Sequence, residues 1–447
     1  MFTASNYIKK HHFHFCIFIL KNRKIMRIKS ALLITALIVS YSLLGQKTTP
    51  TIKEESEVPQ YVLPQLLKTK KGKSVKTVRD WERSRRPEIH DYFAHQVYGV
   101  VPAELNYHKA ELMDYEPAAL GGTAVRKQVN LHFKKGEKSI VVPVLMYLPS
   151  GSTNAPVFLA YNFKGNHSLS ADTAILVDGK KVNQLTGEAS KNFNPSSRGE
   201  RTSRWAIDKM IDAGYGLVTV NYNTVDPDKN DFSDGVHALF YAPGQNSPKK
   251  NEWGSLSAWA WGMSRVMDFL ETEPLVDQDK VVLMGHSRLG KTALWAGAND
   301  PRFSIVISNN SGCGGAALSR RRFGEKVSDI NTNYPHWFAK NFHNFNENES
   351  ALEVDQHMLI ALIAPRPVYV ASASKDPWAD PRGEFLAAQA ATPVYEQYKK
   401  KGIETKEMPA VNTPIHESVG YHLRAGKHDV TDYDWEQYIL FADQHFK

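Results

Sequence analysis

The chain has 447 residues, 42% of them apolar and 23% charged, with two cysteines. That size and balance exclude a disordered polymer, a collagen-like fibre, a multi-span membrane protein and a disulfide-stapled mini-domain. The formal charge is +8, yet residues 1–46 carry seven basic side chains and no acidic one, leaving 48 positive against 47 negative charges in the body; the body lacks the field of a nucleic-acid binder.

The N-terminus is read first. Met26-Arg-Ile-Lys29 precedes the apolar run Ala31–Val39, and Ser40, Ser42, Gly45 and Gln46 follow it. A basic start, a short apolar run and a polar exit read as a secretory signal peptide over 26–46, within a leader of 1–46. The run is short for a membrane span, so no stable span is expected. Loss of the leader removes Cys16 and leaves Cys313 without an intramolecular partner. The polar, Lys-rich stretch 47–79 reads as a linker, and 80–447 as one elaborated domain, secreted or periplasmic.

Along that domain, strand and helix patterns alternate. Val129–Phe133 and Ile140–Leu148 read as a hairpin around Lys135-Gly136, and Pro156–Tyr161 as a strand. A helix is expected from a Ser203 cap through Ala213, ended by Gly214, and then a strand over Leu217–Tyr222. Trp259, Met263, Val266, Met267 and Leu270 recur at helical spacing within Ser255–Leu270. Val281–Met284 reads as a buried strand, Arg288–Ala298 as a helix, and Ile305–Ser308 and Val368–Ala373 as strands. Phe385–Ala391 and Val394–Lys401 are expected as two helices. Thr431 and Asp434 form a capping-box signal for a last helix burying Trp435, Tyr438, Ile439 and Ala442. Such alternation predicts an α/β fold, a mostly parallel twisted sheet with helices on both faces.

The sharpest segment is Val281-Val-Leu-Met-Gly-His-Ser-Arg-Leu-Gly-Lys291. An apolar strand running into Gly285-His286-Ser287 and straight into a helix is the setting of a nucleophile elbow. The helix N-terminus adds a positive dipole for a developing oxyanion. The usual second glycine lies two places after the serine; here Leu289 fills that place and Gly290 follows. Lys291 sits one helical turn beyond Ser287, where its side chain can reach a substrate oxygen.

A serine nucleophile needs a base, and the base an orienting carboxylate, in the chain order Ser, acid, His on this type of sheet. Asp376 follows the strand Val368–Ala373 directly, and Asp380 and Glu384 are its rivals. His428 lies in a Gly-containing loop before the final helix, with His416 and His422 competing. His422 sits in an apolar, strand-like run and is expected to point into packing.

Together these residues resemble the bacterial glucuronoyl esterases of carbohydrate esterase family 15. The resemblance rests on Gly285-His-Ser-Arg-Leu-Gly-Lys291, Asn309-Asn-Ser-Gly-Cys-Gly-Gly315, Arg320-Arg-Arg-Phe-Gly-Glu325, Tyr334-Pro-His-Trp-Phe338, Asp376-Pro-Trp378 and Arg424-Ala-Gly-Lys-His428. Upstream, Trp81-Glu-Arg-Ser-Arg-Arg86 and Tyr98-Gly-Val-Val-Pro102 also fit. It implies an α/β-hydrolase, a three-layer sandwich, cleaving esters between (4-O-methyl-)glucuronic acid of xylan and lignin alcohols. Carried over by position, Ser287 is the nucleophile, His428 the base and Arg288 part of the oxyanion hole. Lys291, Glu325 and Trp378 would contact the uronic acid, and Asn333 lies near where some members have a glutamine. Many members place the acid after the strand matching Ile305–Ser308, where this chain has Asn309-Asn310; Asp376 fits those whose acid follows a later strand. No metal or cofactor is implied, and the expected partner is a glucuronic-acid-bearing polysaccharide, met by a monomer. Alternatives are an acetyl-xylan-type deacetylase, a prolyl-oligopeptidase-type peptidase (whose N-terminal repeats are absent) and a non-catalytic carbohydrate-binding protein on a hydrolase scaffold.

Overall fold

Period-two alternation builds the layers. In the strand Val276–His286, Val281 and Leu283 join one buried cluster while Val282 and Met284 join another on the opposite face. The computed structural model describes residues 50–102, 105–180 and 194–447; the leader read over 1–46 lies outside them. Nine strands form one sheet among these residues: β1 Lys109–Ala119, β2 Ala124–Lys135, β3 Lys138–Pro149, β4 Ala155–Asn162, β5 Gly216–Asn221, β6 Val276–His286, β7 Ile305–Asn309, β8 Val368–Ala373 and β9 Val419–Arg424. Their order is β1-β2-β3-β5-β4-β6-β7-β8-β9. The first three, and β3 with β5, pair antiparallel; every pair from β5 to β9 is parallel.

Helices cover both faces. Ser255–Leu270, Arg288–Asn299, Gln356–Ala361 and Pro381–Gln397 contribute to the first cluster, and Ile207–Asp212 and Asp432–Phe446 to the second. The expected helical stripe of Trp259, Met263, Val266, Met267 and Leu270 is wholly buried, each such side chain contributing roughly 1.5–3 kcal/mol of transfer free energy. The architecture is the three-layer α/β sandwich expected, with the final helix capped by Thr431 and Asp434.

Three local expectations differ from the structure. Ser203 lies in a 3-10 turn, Thr202–Arg204, and the helix starts at Ile207, because Trp205 is extended and packs on Trp435 with ring centroids 5.9 Å apart. Phe385–Ala391 and the first turn of Val394–Lys401 belong to one helix, Pro381–Gln397, with Pro393 inside it; the chain leaves the helix at Tyr398, so residues 398–401 lie beyond it. Burial of Ala387, Ala388, Ala391, Val394 and Tyr395 along one face outweighs the single backbone hydrogen bond that proline removes. The stretch read as a linker packs on the domain from Thr51 onward. Leu66 and Val75 are buried, Ile52 bridges Phe323, and Glu55 makes a two-pronged ion pair with Arg321 at 2.9 and 2.8 Å.

The parallel half of the sheet sets up the site. His286 pairs with Asn309, Asn309 with Ala371 and Ala371 with His422. The carboxyl ends of β6 to β9 therefore finish almost level, and the loops after them emerge side by side, at the edge where open α/β sheets bind ligands.

Candidate active site

The turn after β6 is strained. Ser287 has φ 59° and ψ −129°, a region that costs a non-glycine residue about 1–3 kcal/mol. The turn is held from both sides: the Ser287 N–H donates to the Asn309 carbonyl at 2.8 Å, and its own carbonyl accepts from Gly290 at 2.9 Å and Lys291 at 3.2 Å. Glycine is obligatory at 285, where a Cβ would lie 1.9 Å from the Leu289 carbonyl oxygen. At 290 a Cβ would press on the Gly285 carbonyl and Ser311 at 3.0 Å, so this chain's close approach falls three places after the serine and not two.

His428 is carried by the loop after β9. Arg424, at the strand's end, donates to the carbonyls of Lys427 and Asp429 at 2.7 and 2.6 Å and pairs with buried Asp434 at 2.7 Å, fixing the loop's path. Asp376 follows β8, and the two loops are laced by Ser374 N–H to the Arg424 carbonyl and Lys375 N–H to the Gly426 carbonyl. The His428 Nδ1–H donates to Asp376 Oδ2 at 2.6 Å. That bond fixes the tautomer and leaves Nε2 unprotonated in the neutral ring. Asp376 is 5% exposed and also accepts from Asn310 Nδ2 at 3.0 Å. The His428 ring lies against His286, centroids 4.6 Å apart. Burial, then the His428 charge, pushes His286 far below the usual imidazole range.

The rival residues have other partners. Asp380 pairs with Arg321 at 2.8 Å and caps Pro381–Gln397 through the Gly383 N–H. Glu384 is fully buried and accepts from the Ser311 and Gly312 N–H groups at 2.7 and 2.9 Å and from the Ser372 hydroxyl at 2.6 Å. His422 is buried between Asp434 and the Tyr369 hydroxyl at 3.0 and 3.1 Å, as its apolar strand implied. His416 packs on Tyr369 and Phe441.

Ser287, Arg288, Lys291, Asn310, Glu325, Asp376, Trp378 and His428 line one cleft of about 390 Å³. The Lys291 ammonium is buried on the carbonyls of Ser311 and Cys313, both at 2.6 Å, and 3.5 Å from Glu325. Burial raises the Glu325 carboxyl above the ordinary range, while the charge of Lys291 opposes it. Trp378 stands 45% exposed at the rim, an apolar face for a sugar ring. Gly324 crosses close beneath it, since a Cβ there would meet the Pro377 carbonyl at 2.4 Å. Asn333 is exposed and does not line the cleft.

The chain is similar to known proteins over most of its length. Residues 201–398 match the family model "Glucuronyl esterase, fungi". Carbohydrate esterase MZ0003, from an unknown prokaryotic organism, is 47% identical over 398 residues, covering 88% of this chain and 91% of that protein. The chain belongs to carbohydrate esterase family 15. Within this family, the solved structure of a promiscuous esterase from a marine bacterial metagenome is 47% identical with a TM-score of 0.79, covering 89% of this chain and 100% of its own. The glucuronoyl esterase from Solibacter usitatus is 44% identical with a TM-score of 0.82, covering 88% and 100%.

Sequence reasoning passed over one part of this candidate site. The Arg288 guanidinium pairs with Asp228 and lies over the rings of Trp337, Tyr334 and Phe163, 4.7, 5.5 and 5.9 Å from their centroids. Asp228 also accepts from Trp337 Nε1 at 2.7 Å, His336 Nε2 at 2.8 Å and the Tyr222 hydroxyl at 2.9 Å. Burial would raise that carboxyl, but the His336 and Trp337 hydrogen bonds and the Arg288 charge hold it well below the usual range. Two adjacent donors, His336-Trp337, were the available signal; the acceptor stood in a plain turn-like Asp226-Pro-Asp228.

Proposed function

We propose that this protein is a serine carboxylic ester hydrolase that cleaves glucuronoyl esters between (4-O-methyl-)glucuronic acid of xylan and lignin alcohols. The observation that carries the reading is the meeting of Ser287 and the His428–Asp376 pair with Lys291, Glu325 and Trp378 in one cleft. A relative 44% identical across the domain is a glucuronoyl esterase, which supports the same substrate class. His428 takes the proton of Ser287, which attacks the ester carbonyl. Asp376 orients the imidazole and stabilises its charged form. The helix N-terminus at Arg288, with its guanidinium, stabilises the oxyanion. The protonated imidazole then gives its proton to the departing alcohol, and water activated by His428 hydrolyses the glucuronoyl-enzyme. Lys291 and Glu325 hold sugar hydroxyls, and Trp378 packs on the pyranose face.

We read the protein as exported, with the leader removed, and as a monomer. The leader's composition supports export, and no helix among the described residues is long and apolar enough to cross a membrane. The deciding experiment compares methyl and benzyl glucuronate with acetylated xylose, using wild type and Ser287→Ala. Glucuronate esters are expected to be cleaved far faster, and Ser287→Ala to be inactive though folded. Preferential deacetylation would replace the substrate assignment, and activity retained by Ser287→Ala would remove the nucleophile.

A further inference from the structure

We propose that Asp228 is a positioning residue that also offsets the charge of Arg288, so that the cleft favours the neutral ester over the anionic acid it produces. The inference rests on the glucuronoyl-ester reading above. Its structural basis is separate: a carboxylate outside the cleft wall that acts only through Arg288.

Arg288 follows Ser287 in the chain, and both line the cleft. Its guanidinium is sandwiched among Trp337, Tyr334 and Phe163 and tied to Asp228. The side chains of Asp228 and Arg288 are only 10% and 25% exposed, so the pair is weakly screened. Asp228 has no freedom to leave its partner. Trp337 and His336 occupy one carboxylate oxygen and Tyr222 and Arg288 the other, while its own N–H donates to Asn223 Oδ1 at 2.9 Å. Apart from Arg288 itself, these donors come from the loop after β5 and the segment 336–337. The guanidinium is therefore anchored before substrate arrives.

The chemistry gives that anchor a second consequence. A glucuronoyl ester is uncharged at the reacting carbonyl, whereas hydrolysis leaves a carboxylate at the same place. A bare guanidinium beside Ser287 would hold that carboxylate as an ion pair and slow its release. With Asp228 in place, Arg288 still presents N–H donors to a transient oxyanion, but the pair is close to neutral towards an incoming anion. The other charges around the reacting carbon are also matched, Lys291 by Glu325 and His428 by Asp376. No uncompensated cation then faces the product among these residues.

The test is glucuronate binding by calorimetry, alongside steady-state kinetics, for wild type and Asp228→Asn. The amide keeps the shape and the acceptor for His336 and Trp337. Asp228→Asn is expected to bind glucuronate on the order of tenfold more tightly, to be inhibited by it in the same proportion, and to lose kcat with little change in KM for methyl glucuronate. Asp228→Glu, which keeps the charge, is expected to stay within about twofold of wild type in glucuronate affinity. A residue that merely braces the loop would weaken glucuronate and ester binding together. Should Asp228→Asn not fold with an unpaired arginine, Arg288→Gln is compared with Arg288→Gln/Asp228→Asn, and the first is expected to bind glucuronate several-fold more weakly. Equal glucuronate affinity in wild type and Asp228→Asn, or in that second pair, overturns the role of Asp228 and leaves the substrate reading standing. No glucuronate binding to either protein overturns both.

Discussion

Replacing Asp376 by asparagine removes a charge and almost no volume. Its carboxylate meets His428 Nδ1 at 2.6 Å, and in the proposed acyl transfer that ring becomes an imidazolium. Opposite charges about 4 Å apart interact by about 4 kcal/mol at an effective dielectric of about 20. The His428 side chain is 41% exposed, so water screens part of this and about 2–4 kcal/mol remains. The expected loss in kcat is therefore roughly thirtyfold to a thousandfold, with KM little changed because Asp376 orients the base and does not grip the sugar. Asp380→Asn weakens the buried pairing of Arg321, which keeps Glu55 as a partner, and is expected to cost about 1–3 kcal/mol of stability while the folded fraction keeps its kcat. The assay is hydrolysis of benzyl glucuronate, with circular dichroism and urea titration on each variant. A folded Asp380→Asn protein that loses more kcat than folded Asp376→Asn would refute the assignment of the acid.

Three further outcomes are expected. Burial pushes the Glu384 carboxyl up to about 8 from 4.5, with hydrogen bonds from Ser372 and the Gly312 N–H opposing; a raised acid favours the folded state below about pH 4.5 and loses that contribution as pH climbs through about 8, up to about 5 kcal/mol in all. Urea unfolding from pH 5 to 9 should therefore show wild type losing stability relative to Glu384→Gln, and parallel curves would contradict it. Gly285→Ala drives a Cβ into the Leu289 backbone and should destabilise by more than about 3 kcal/mol; a melting temperature within a degree or two of wild type would show that the elbow can relax. Trp378→Ala, at an exposed rim position, should raise KM for benzyl glucuronate about tenfold and leave the unfolding midpoint unchanged, and an unaltered KM would remove Trp378 from the sugar contact.

Much of this molecule was legible because its signals are local. A continuous apolar run marks β6, a glycine and a serine mark its end, and Thr431 with Asp434 marks the last helix, all within one or two turns of chain. The three carboxylates Asp376, Asp380 and Glu384 are local too, and the sequence put Asp376 ahead of its rivals only by its place directly after the strand. What distinguishes them arrives from far away: His428 for the first, Arg321 for the second, the Ser311–Gly312 backbone for the third. Asp228 escaped notice for the same reason, its arginine lying 60 positions on. The break expected at Pro393 failed in the other direction, since a local helix breaker was overruled by a buried face.

The position proposed for the acid follows from what else stands at the sheet's edge. β7 and β8 run in register there, and the Asn310 N–H donates to the Ala371 carbonyl at 2.7 Å, so a side chain leaving either strand end can approach the same imidazole. Only one carboxylate is tolerable in that space, because two within hydrogen-bond distance cannot both ionise near neutral pH. An acid at 310 would lie about where the Asn310 amide now stands, 3.0 Å from Asp376. An acid at 309 would replace an amide whose oxygen accepts from His286 at 2.6 Å and whose nitrogen lies 3.3 Å from Asp434, setting it against a carboxylate already paired with Arg424. The two asparagines at the end of β7 are therefore the complement of one aspartate after β8: each amide donates where a second negative charge would repel.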